Sequence, residues 1–131
     1  MVVTEPLRLR LDAEPASVGR ARAAVAEVGA ELGMDSPALD DLRTVVSEAC
    51  SNVVRHAYQD GGGDFEIEAT PSPAELEIVV RDCGEGLSPS LRSESAGLGL
   101  GLGLISTLSS HFEIRGRREG GTEVLIVLPL H

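Results

Sequence analysis

The stretch SEACSNVVRHAY, residues 47–58, forms the C-terminal part of the longest helix that the sequence predicts. Asp35 or Ser36 suits a helix cap, and Pro37 suits the first turn. The helix is expected to end near Tyr58, because the following QDGGG is a helix-breaking sequence. Apolar residues recur along it with helical spacing: Leu39, Leu42, Val46, Ala49, Val53 and Ala57. This stripe predicts that one face of the helix packs against the rest of the protein.

A row of polar side chains follows the same helix at four-residue spacing: Thr44, Glu48, Asn52 and His56. A carboxylate beside a reacting hydroxyl can act as a general base. An amide oxygen is a suitable ligand for Mg²⁺, which keeps several of its waters. The row is therefore a candidate site for a hydrated divalent cation and for proton transfer. A solvated polar helix face with a partly buried histidine explains the same pattern, and the row alone leaves both interpretations open.

Alternating apolar and polar residues predict strands on both sides of this helix. LRLRL (7–11) precedes it, the hairpin of 65–70 and 74–82 follows it, and a second hairpin closes the chain within 112–130. A first helix is expected from Pro15 to about Leu32, stopping at Gly33, and a short helix begins near Leu104. This order predicts an α+β fold, a two-layer α/β sandwich. Its sheet is mixed but mostly antiparallel, its helices lie on one face, and residues 1–131 form a single domain.

A carboxylate follows the third predicted strand in RDCGEGLSP, residues 81–89. Asp82 comes directly after the apolar run, and Gly84 and Gly86 allow a close approach of the backbone. This arrangement suits recognition of an exocyclic amino group such as that of adenine. It is also what a tight turn contains.

Four glycines alternate with leucine in GLGLGLGLI, residues 97–105. Backbone N–H groups of such a segment can face an anion, and a following helix N-terminus favours negative charge. The chain has no Lys, which excludes a Walker A loop, and the spacing and flanks do not fit a Rossmann fingerprint. A flexible linker is the alternative, although alternating leucine is unusual in linkers.

The composition excludes several classes of protein. With 21 acidic and 11 basic residues in 131, the net charge is −10, and Tyr, Phe and Trp together make up only 2%. Phosphate-contacting Lys/Arg clusters and base-stacking aromatics are therefore missing, which argues against nucleic-acid binding. Two cysteines, Cys50 and Cys83, cannot build a disulfide scaffold or a four-cysteine zinc site. No signal peptide or apolar run of about 18 residues occurs, so a cytoplasmic protein is expected.

The order of these motifs, with GGT before the last strand, resembles the GHKL (Bergerat-fold) family of ATP-binding domains. The likeness is greatest to bacterial anti-sigma-factor serine-protein kinases, and it covers nearly the whole chain. The resemblance implies ATP and Mg²⁺ as ligands. It implies that Glu48 activates the attacking hydroxyl, that Asn52 holds Mg²⁺, and that Asp82 reads the adenine amino group. The nucleotide-binding residues it implies are Asn52, His56, Asp82, Gly84, Gly86, Gly97, Gly99, Gly101, Gly103 and Thr122.

The same resemblance implies phosphorylation of a Ser or Thr on an anti-sigma antagonist and sequestration of a sigma factor. Homodimers are common in this branch. Arg20 and Arg22, on the polar side of the first helix, form a candidate docking surface, unless they are simply solvated. The lid between Gly86 and Gly97 holds only ten residues. A short lid favours one alternative, an ATP- or ADP-binding module that sequesters a sigma factor without phosphoryl transfer. A second alternative is a nucleotide-independent interaction domain with a degenerate pocket, against which the presence of Glu48, Asn52 and Asp82 argues.

Overall fold

The computed structural model describes residues 5–56, 63–84, 95–118 and 120–130, without the side chains of residues 56 and 95–101. Within these ranges, the helices and strands follow in the predicted order: β1 (Leu7–Asp12), α1 (Pro15–Glu31), α2 (Ser36–His56), β2 (Asp64–Pro71), β3 (Glu75–Asp82), α3 (Ser95–Leu108), β4 (His111–Gly116) and β5 (Thr122–Pro129). The five strands form one sheet in the order β1-β2-β3-β5-β4. Every neighbouring pair is antiparallel. The α+β prediction is confirmed.

Residue alternation gives the sheet one buried and one open face. The buried face carries Phe65, Ile67, Ile78, Val80 and Ile126, which are almost completely inaccessible to solvent. The apolar stripe of α2 joins the same core, with Leu42, Val46, Ala49 and Val53 buried. The helices therefore cover one face of the sheet, as the two-layer prediction required.

The open face of the sheet pairs most of its charges internally. Arg10, Glu66, Arg81, Glu123 and Arg115 occupy facing positions on the five strands. Arg81 donates to both Glu68 and Glu123, and Arg10 donates to Asp64. The exposed pairs among these, such as Arg10–Asp64, contribute little stability. They do show that guanidinium groups on this face find carboxylate partners within the chain.

The helix ends agree with the sequence, with one correction. Asp35 Oδ1 accepts a hydrogen bond from Ala38 N (3.0 Å), so Asp35 caps α2. The prediction that a helix begins near Leu104 is wrong, because α3 begins at Ser95 and includes the glycine-rich stretch. Leu102, Ile105 and Leu108 lie at helical spacing and pack on the core, and Ile105 is fully buried. This packing stabilises the C-terminal half of a helix that has weak intrinsic propensity.

The register of the strands brings the ends of several strands and helices to one edge of the molecule. Asp12, the last residue of β1, faces Asp64 at the start of β2, and Asp82 at the end of β3 faces Phe65. β5 starts at Thr122 beside Asp82, and α1 starts three residues after β1. The short link between α1 and α2 makes these helices antiparallel, which places the C-terminal half of α2 at the same edge.

No helix in the described part of the chain is both long enough and apolar enough to cross a membrane.

Candidate functional site

Asp82 is the last residue of β3 and lies at this edge. Its side chain is buried, and its Oδ1 accepts hydrogen bonds from Gly84 N (3.1 Å) and Thr122 N (3.2 Å). Neither bond uses Oδ2. Thr122 is also buried, at the first position of β5. The structure thus brings together Asp82, Gly84 and Thr122, although Asp82 and Thr122 are 40 residues apart in the sequence.

A tight turn between β4 and β5 approaches Asp82 closely. Gly120 and Gly121 have φ angles of +97° and +94°, which L-residues rarely adopt. A Cβ on Gly121 would lie 2.0 Å from the backbone oxygen of Asp82. Arg117 holds the turn in place, since its Nη1 donates to the same oxygen at 2.9 Å. Only glycine at position 121 allows the turn to approach Asp82 this closely.

Burial governs the ionisation of Asp82. Desolvation raises the pKa of this carboxyl above its ordinary value, and the hydrogen bonds from Gly84 and Thr122 and the charge of Arg117 partly oppose the shift. The carboxyl group of Asp82 is therefore already removed from water and already oriented by its hydrogen bonds.

A second feature is a cleft of about 680 Å³ between the N-terminal half of α1 and the C-terminal half of α2. Glu48 and Ser51 line it from α2, and Gly19 and Arg22 line it from α1. A smaller hollow of about 280 Å³ continues along the two helices, and both hollows share Arg22 and Glu48. The half-buried Glu48 carboxylate is thus accessible to a group that enters the cleft.

Two other members of the predicted polar row, Thr44 and Asn52, do not line this larger cleft. Asn52 is half-buried and lies one turn beyond Glu48, but it is not among the residues that line the cleft. Thr44 lines the smaller hollow and donates its hydroxyl hydrogen to Asp40 O at 2.9 Å. His56 is the last residue of α2, and its side chain and Tyr58 lie outside the described residues.

The glycine-rich segment is placed differently from the expected loop. Gly97, Gly99, Gly101 and Gly103 all lie within α3. Only the N–H groups at the start of a helix lack an intrahelical acceptor. Of the four glycines, Gly97 alone lies close enough to Ser95 to offer such a donor. Gly86 and the predicted lid, except its last two residues, lie outside the described residues.

The candidate docking arginines differ in their surroundings. Both Arg20 and Arg22 are exposed on α1. Arg22 lines the cleft and its Nη1 donates to Ser47 Oγ at 3.3 Å, whereas Arg20 does not line the cleft. Sequence reasoning named both residues and could not separate them, because the partner helix that distinguishes them comes from tertiary packing.

Sequence reasoning missed two arginines near the site. Arg55 lines the cleft with Glu48, and its Nε donates to Ser51 O at 3.3 Å. Arg117 contacts Asp82 O and also donates to Cys83 Sγ at 3.3 Å. Arg55 comes seven residues after Glu48 on the same helix, and this spacing indicates that the two side chains share one face. No local sequence pattern indicates that Arg117 lies near Asp82. Cys50 and Cys83 are not joined by a disulfide, and burial raises the pKa of the Cys50 thiol to about 12.

The donor set fits a nucleotide and a loosely held magnesium ion. Asp82 offers a buried acceptor for an amino group, and the Gly121 turn leaves the backbone close beside it. Among the described residues, no group of three His, Cys, Asp or Glu side chains could hold a metal ion. Mg²⁺ bound with nucleotides commonly takes one or two protein oxygens and completes its shell with phosphates and water. The amide oxygen of Asn52 suits that role.

Replacing Gly121 by alanine tests the close approach of the turn. We expect Gly121→Ala to lower the free energy of unfolding by about 3 kcal/mol or more, through backbone strain and the clash with Asp82 O. Gly120→Ala is the matched control, since it has a similar φ and its Cβ would meet only Gly84 O at 3.8 Å. We expect a loss of about 1–3 kcal/mol there, measured by urea unfolding. Equal losses would show that the Asp82 contact is unimportant.

The raised pKa of Asp82 predicts a pH-dependent effect of Asp82→Asn. A carboxyl whose pKa is higher in the folded state favours folding below its unfolded pKa, and this contribution is lost as the pH rises through the folded pKa. The stability of Asp82→Asn relative to wild type should therefore increase from about pH 4 upwards and then level off. Urea unfolding across this range measures the difference. A constant difference would contradict the assigned desolvation.

Comparisons with known proteins show which family the chain belongs to. The sequence profile of the histidine kinase-like ATPase domain matches residues 11–128. The chain is 30% identical over 92 residues to the serine-protein kinase RsbW of Bacillus subtilis, covering 70% of this chain and 58% of the relative. It is 32% identical over 94 residues to RsbW of Bacillus licheniformis, covering 71% and 58%. The chain thus spans less than two-thirds of the length of these relatives.

A solved structure supports the same assignment. The RsbU and RsbW domains of Rv1364c from Mycobacterium tuberculosis superpose on 95% of this chain with a TM-score of 0.74 and 26% identity. The match covers 32% of that longer chain. Family profile, sequence relatives and fold agree, and they agree with the resemblance that the motifs indicated. The chain belongs to the histidine kinase-like ATPase domain family.

Proposed function

We propose that this chain is an ATP-dependent serine/threonine kinase that acts on a partner protein, as a single ATP-binding domain. One observation carries the proposal: the chain holds a buried carboxylate, Asp82, oriented by two backbone N–H groups, and an accessible carboxylate, Glu48, in the α1–α2 cleft. The first suits the adenine base and the second suits an attacking hydroxyl. The RsbW relatives, which are named serine-protein kinases, support the same activity.

Asp82 recognises the base in this proposal. Its Oδ1 is occupied by the N–H groups of Gly84 and Thr122, which fixes the plane of the carboxylate. Oδ2, which neither of these bonds uses, accepts the adenine amino hydrogen. A hydrogen bond to a charged acceptor contributes about 1.5–3 kcal/mol. Thr122 and Gly84 define the walls around the base, and His56 and Gly97 act near the phosphates.

Glu48 activates the substrate in the transfer step. Its carboxylate accepts the proton of the Ser or Thr hydroxyl, whose oxygen forms a bond to the γ-phosphorus of ATP. The bond from that phosphorus to the β,γ-bridging oxygen breaks, and ADP leaves. Asn52 holds Mg²⁺, which when bound neutralises charge on the phosphate oxygens. Positioning by the cleft supplies much of the rate, because little covalent chemistry is left to the protein.

The partners follow from the family resemblance. We propose an anti-sigma antagonist as the phosphorylated protein and a sigma factor as the competing ligand. Arg20 and Arg22 of α1 provide the docking surface, and two copies of the chain form a homodimer. The remaining negative charge of the chain favours a partner with a basic patch elsewhere on its surface.

A second candidate function is a nucleotide-binding module that sequesters a partner without phosphoryl transfer. The connection between β3 and α3 comprises only residues 83–94, which leaves a short segment to cover a triphosphate. Incomplete exclusion of water weakens the electrostatic interactions on which transfer depends. ATP binding without transfer to any partner distinguishes this function from the kinase.

Replacing Glu48 tests the kinase. We expect Glu48→Ala and Glu48→Gln to retain Mg-ATP binding and to lose phosphorylation by about 100-fold or more, since a general base contributes at least that factor. Transfer of labelled phosphate to the antagonist gives the rate, and thermal shift with Mg-ATP gives binding. Glu31→Gln, at the far end of α1, is the control and should behave as wild type. A wild-type rate in Glu48→Ala would show that Glu48 is not the base.

Replacing Asp82 tests base recognition. Asparagine keeps an oxygen for Gly84 and Thr122 but presents an NH₂ donor where the carboxylate offered an acceptor. We expect wild type to prefer ATP over inosine triphosphate, which lacks the amino group, by about 10- to 100-fold. Asp82→Asn should lose or reverse this preference in equilibrium binding. Asp12→Asn, an exposed carboxylate at the end of β1, should keep it. An unchanged preference in Asp82→Asn would assign base recognition elsewhere.

A further inference from the structure

The register of β3 and β5 ends one residue before Asp82. Its last facing pair is Arg81 and Glu123. Beyond this pair, Thr122 N donates to Asp82 Oδ1, and Arg117 Nη1 donates to Asp82 O. Hydrogen bonds that involve side chains therefore continue the connection between the two strands, at the place where the proposed function puts the base.

Arg117 forms hydrogen bonds on both sides of this junction. Its backbone belongs to the turn before β5, where its N–H donates to Gly121 O at 3.1 Å and its oxygen accepts from Gly120 N at 3.1 Å. Its side chain reaches the end of β3, where Nη1 donates to Asp82 O at 2.9 Å and to Cys83 Sγ at 3.3 Å. Movement of the turn relative to β3 would break one of these two sets of hydrogen bonds.

The orientation of the Asp82 carboxylate depends on the same turn. Thr122 N donates to Asp82 Oδ1 and belongs to the same planar peptide group as Gly121 O. Arg117 N donates to that Gly121 oxygen. The second donor to Oδ1 is the N–H of the residue after Cys83, whose sulfur accepts from Arg117 Nη1. Arg117 therefore contacts the residue before each of the two N–H groups that orient the carboxylate.

The charge of Arg117 also acts on this carboxylate. Burial raises the pKa of Asp82, and the positive charge of Arg117 opposes that rise. The neighbouring strands place uncharged residues beside Asp82, Phe65 on β2 and Thr122 on β5, and the adjacent titratable group on its own segment is the thiol of Cys83. Arg117 thus favours the ionised form of the carboxyl, in which both oxygens are acceptors.

We propose that Arg117 is a positioning residue for base recognition, which holds the turn before β5 against the end of β3 and so keeps Oδ2 of Asp82 directed at the adenine amino group. Arg117 acts through Asp82 and does not itself contact the nucleotide. The inference rests on the proposed function, in which Asp82 recognises the base. It adds to that site a residue 35 positions further along the chain.

Nucleotide preference tests this role. Arg117→Gln removes the charge and shortens the side chain, so the end of β3 loses its connection to the turn. Calorimetric titration of the full chain with Mg²⁺ and either ATP or inosine triphosphate gives the two affinities. Residues that orient metal ligands contribute about 10–100-fold to affinity, and we expect a loss at the lower end of this range, about 10-fold, in the preference for ATP. Arg118→Gln, the same change at the next, exposed position, is the control and should keep the wild-type preference.

The pH dependence separates positioning from a general loss of stability. Without the charge at position 117, the pKa of Asp82 rises further, and a protonated carboxyl places a donor where the ionised form has an acceptor. As the pH falls from about 7 to about 4.5, the ATP preference of Arg117→Gln should therefore decline at a higher pH than that of wild type. Arg117→Lys keeps the charge and should keep the wild-type pH dependence. A merely structural role would lower the free energy of unfolding and leave the ratio of the two affinities, and its pH dependence, unchanged.

The outcomes distinguish this inference from the proposed function. If wild type prefers ATP and Arg117→Gln keeps both the preference and its pH dependence, the inference is wrong and base recognition by Asp82 stands. If wild type binds both nucleotides equally, base recognition by Asp82 is wrong and the inference fails with it. A reduced preference in Arg117→Gln, together with wild-type pH dependence in Arg117→Lys, supports the inference even in a chain that transfers no phosphate.

Discussion

The carboxylate of Asp82 joins two neighbouring strands of the sheet, at the point where β3 ends and β5 begins. Its Oδ1 accepts hydrogen bonds from the N–H groups of Gly84, just beyond β3, and Thr122, at the start of β5. A buried carboxylate is unfavourable unless it is hydrogen-bonded, so these two donors are required for the arrangement to persist. The same bonds fix the direction in which the other oxygen points. One side chain therefore links the ends of β3 and β5 and, in the proposed function, also recognises the base.

This arrangement depends in turn on backbone freedom at a single residue. The turn before β5 reaches Asp82 only because Gly121 lacks a Cβ and adopts a positive φ. Arg117 then bridges the turn to the end of β3 through Asp82 O. The surroundings of Asp82 are thus built from two hairpins, which pair with each other through β3 and β5.

The helix pair contributes the other half of the site. Because α1 and α2 run antiparallel with a short link, the start of α1 lies beside the end of α2. This brings Arg22 to Glu48 and leaves a cleft between them. The cleft is lined by residues of α1 and α2 and does not include Asp82. In the proposed kinase, Asp82 recognises the base and Glu48, in the cleft, activates the substrate hydroxyl.

The sequence alone determined the order of helices and strands, the buried face of each, and the chemistry of individual residues. Period-two alternation placed Phe65, Ile67 and Ile78 in the core, and spacing put Glu48 and Asn52 one turn apart on one helix. These properties are local, because they depend on side-chain direction along one segment. Tertiary structure decided the rest: that Thr122 and Gly121 meet Asp82, that Arg22 but not Arg20 reaches the cleft, and that packing of Ile105 extends α3 through the glycine-rich segment. Such contacts join residues far apart in the chain, and their energies exist only once the sheet and the helix pair have formed.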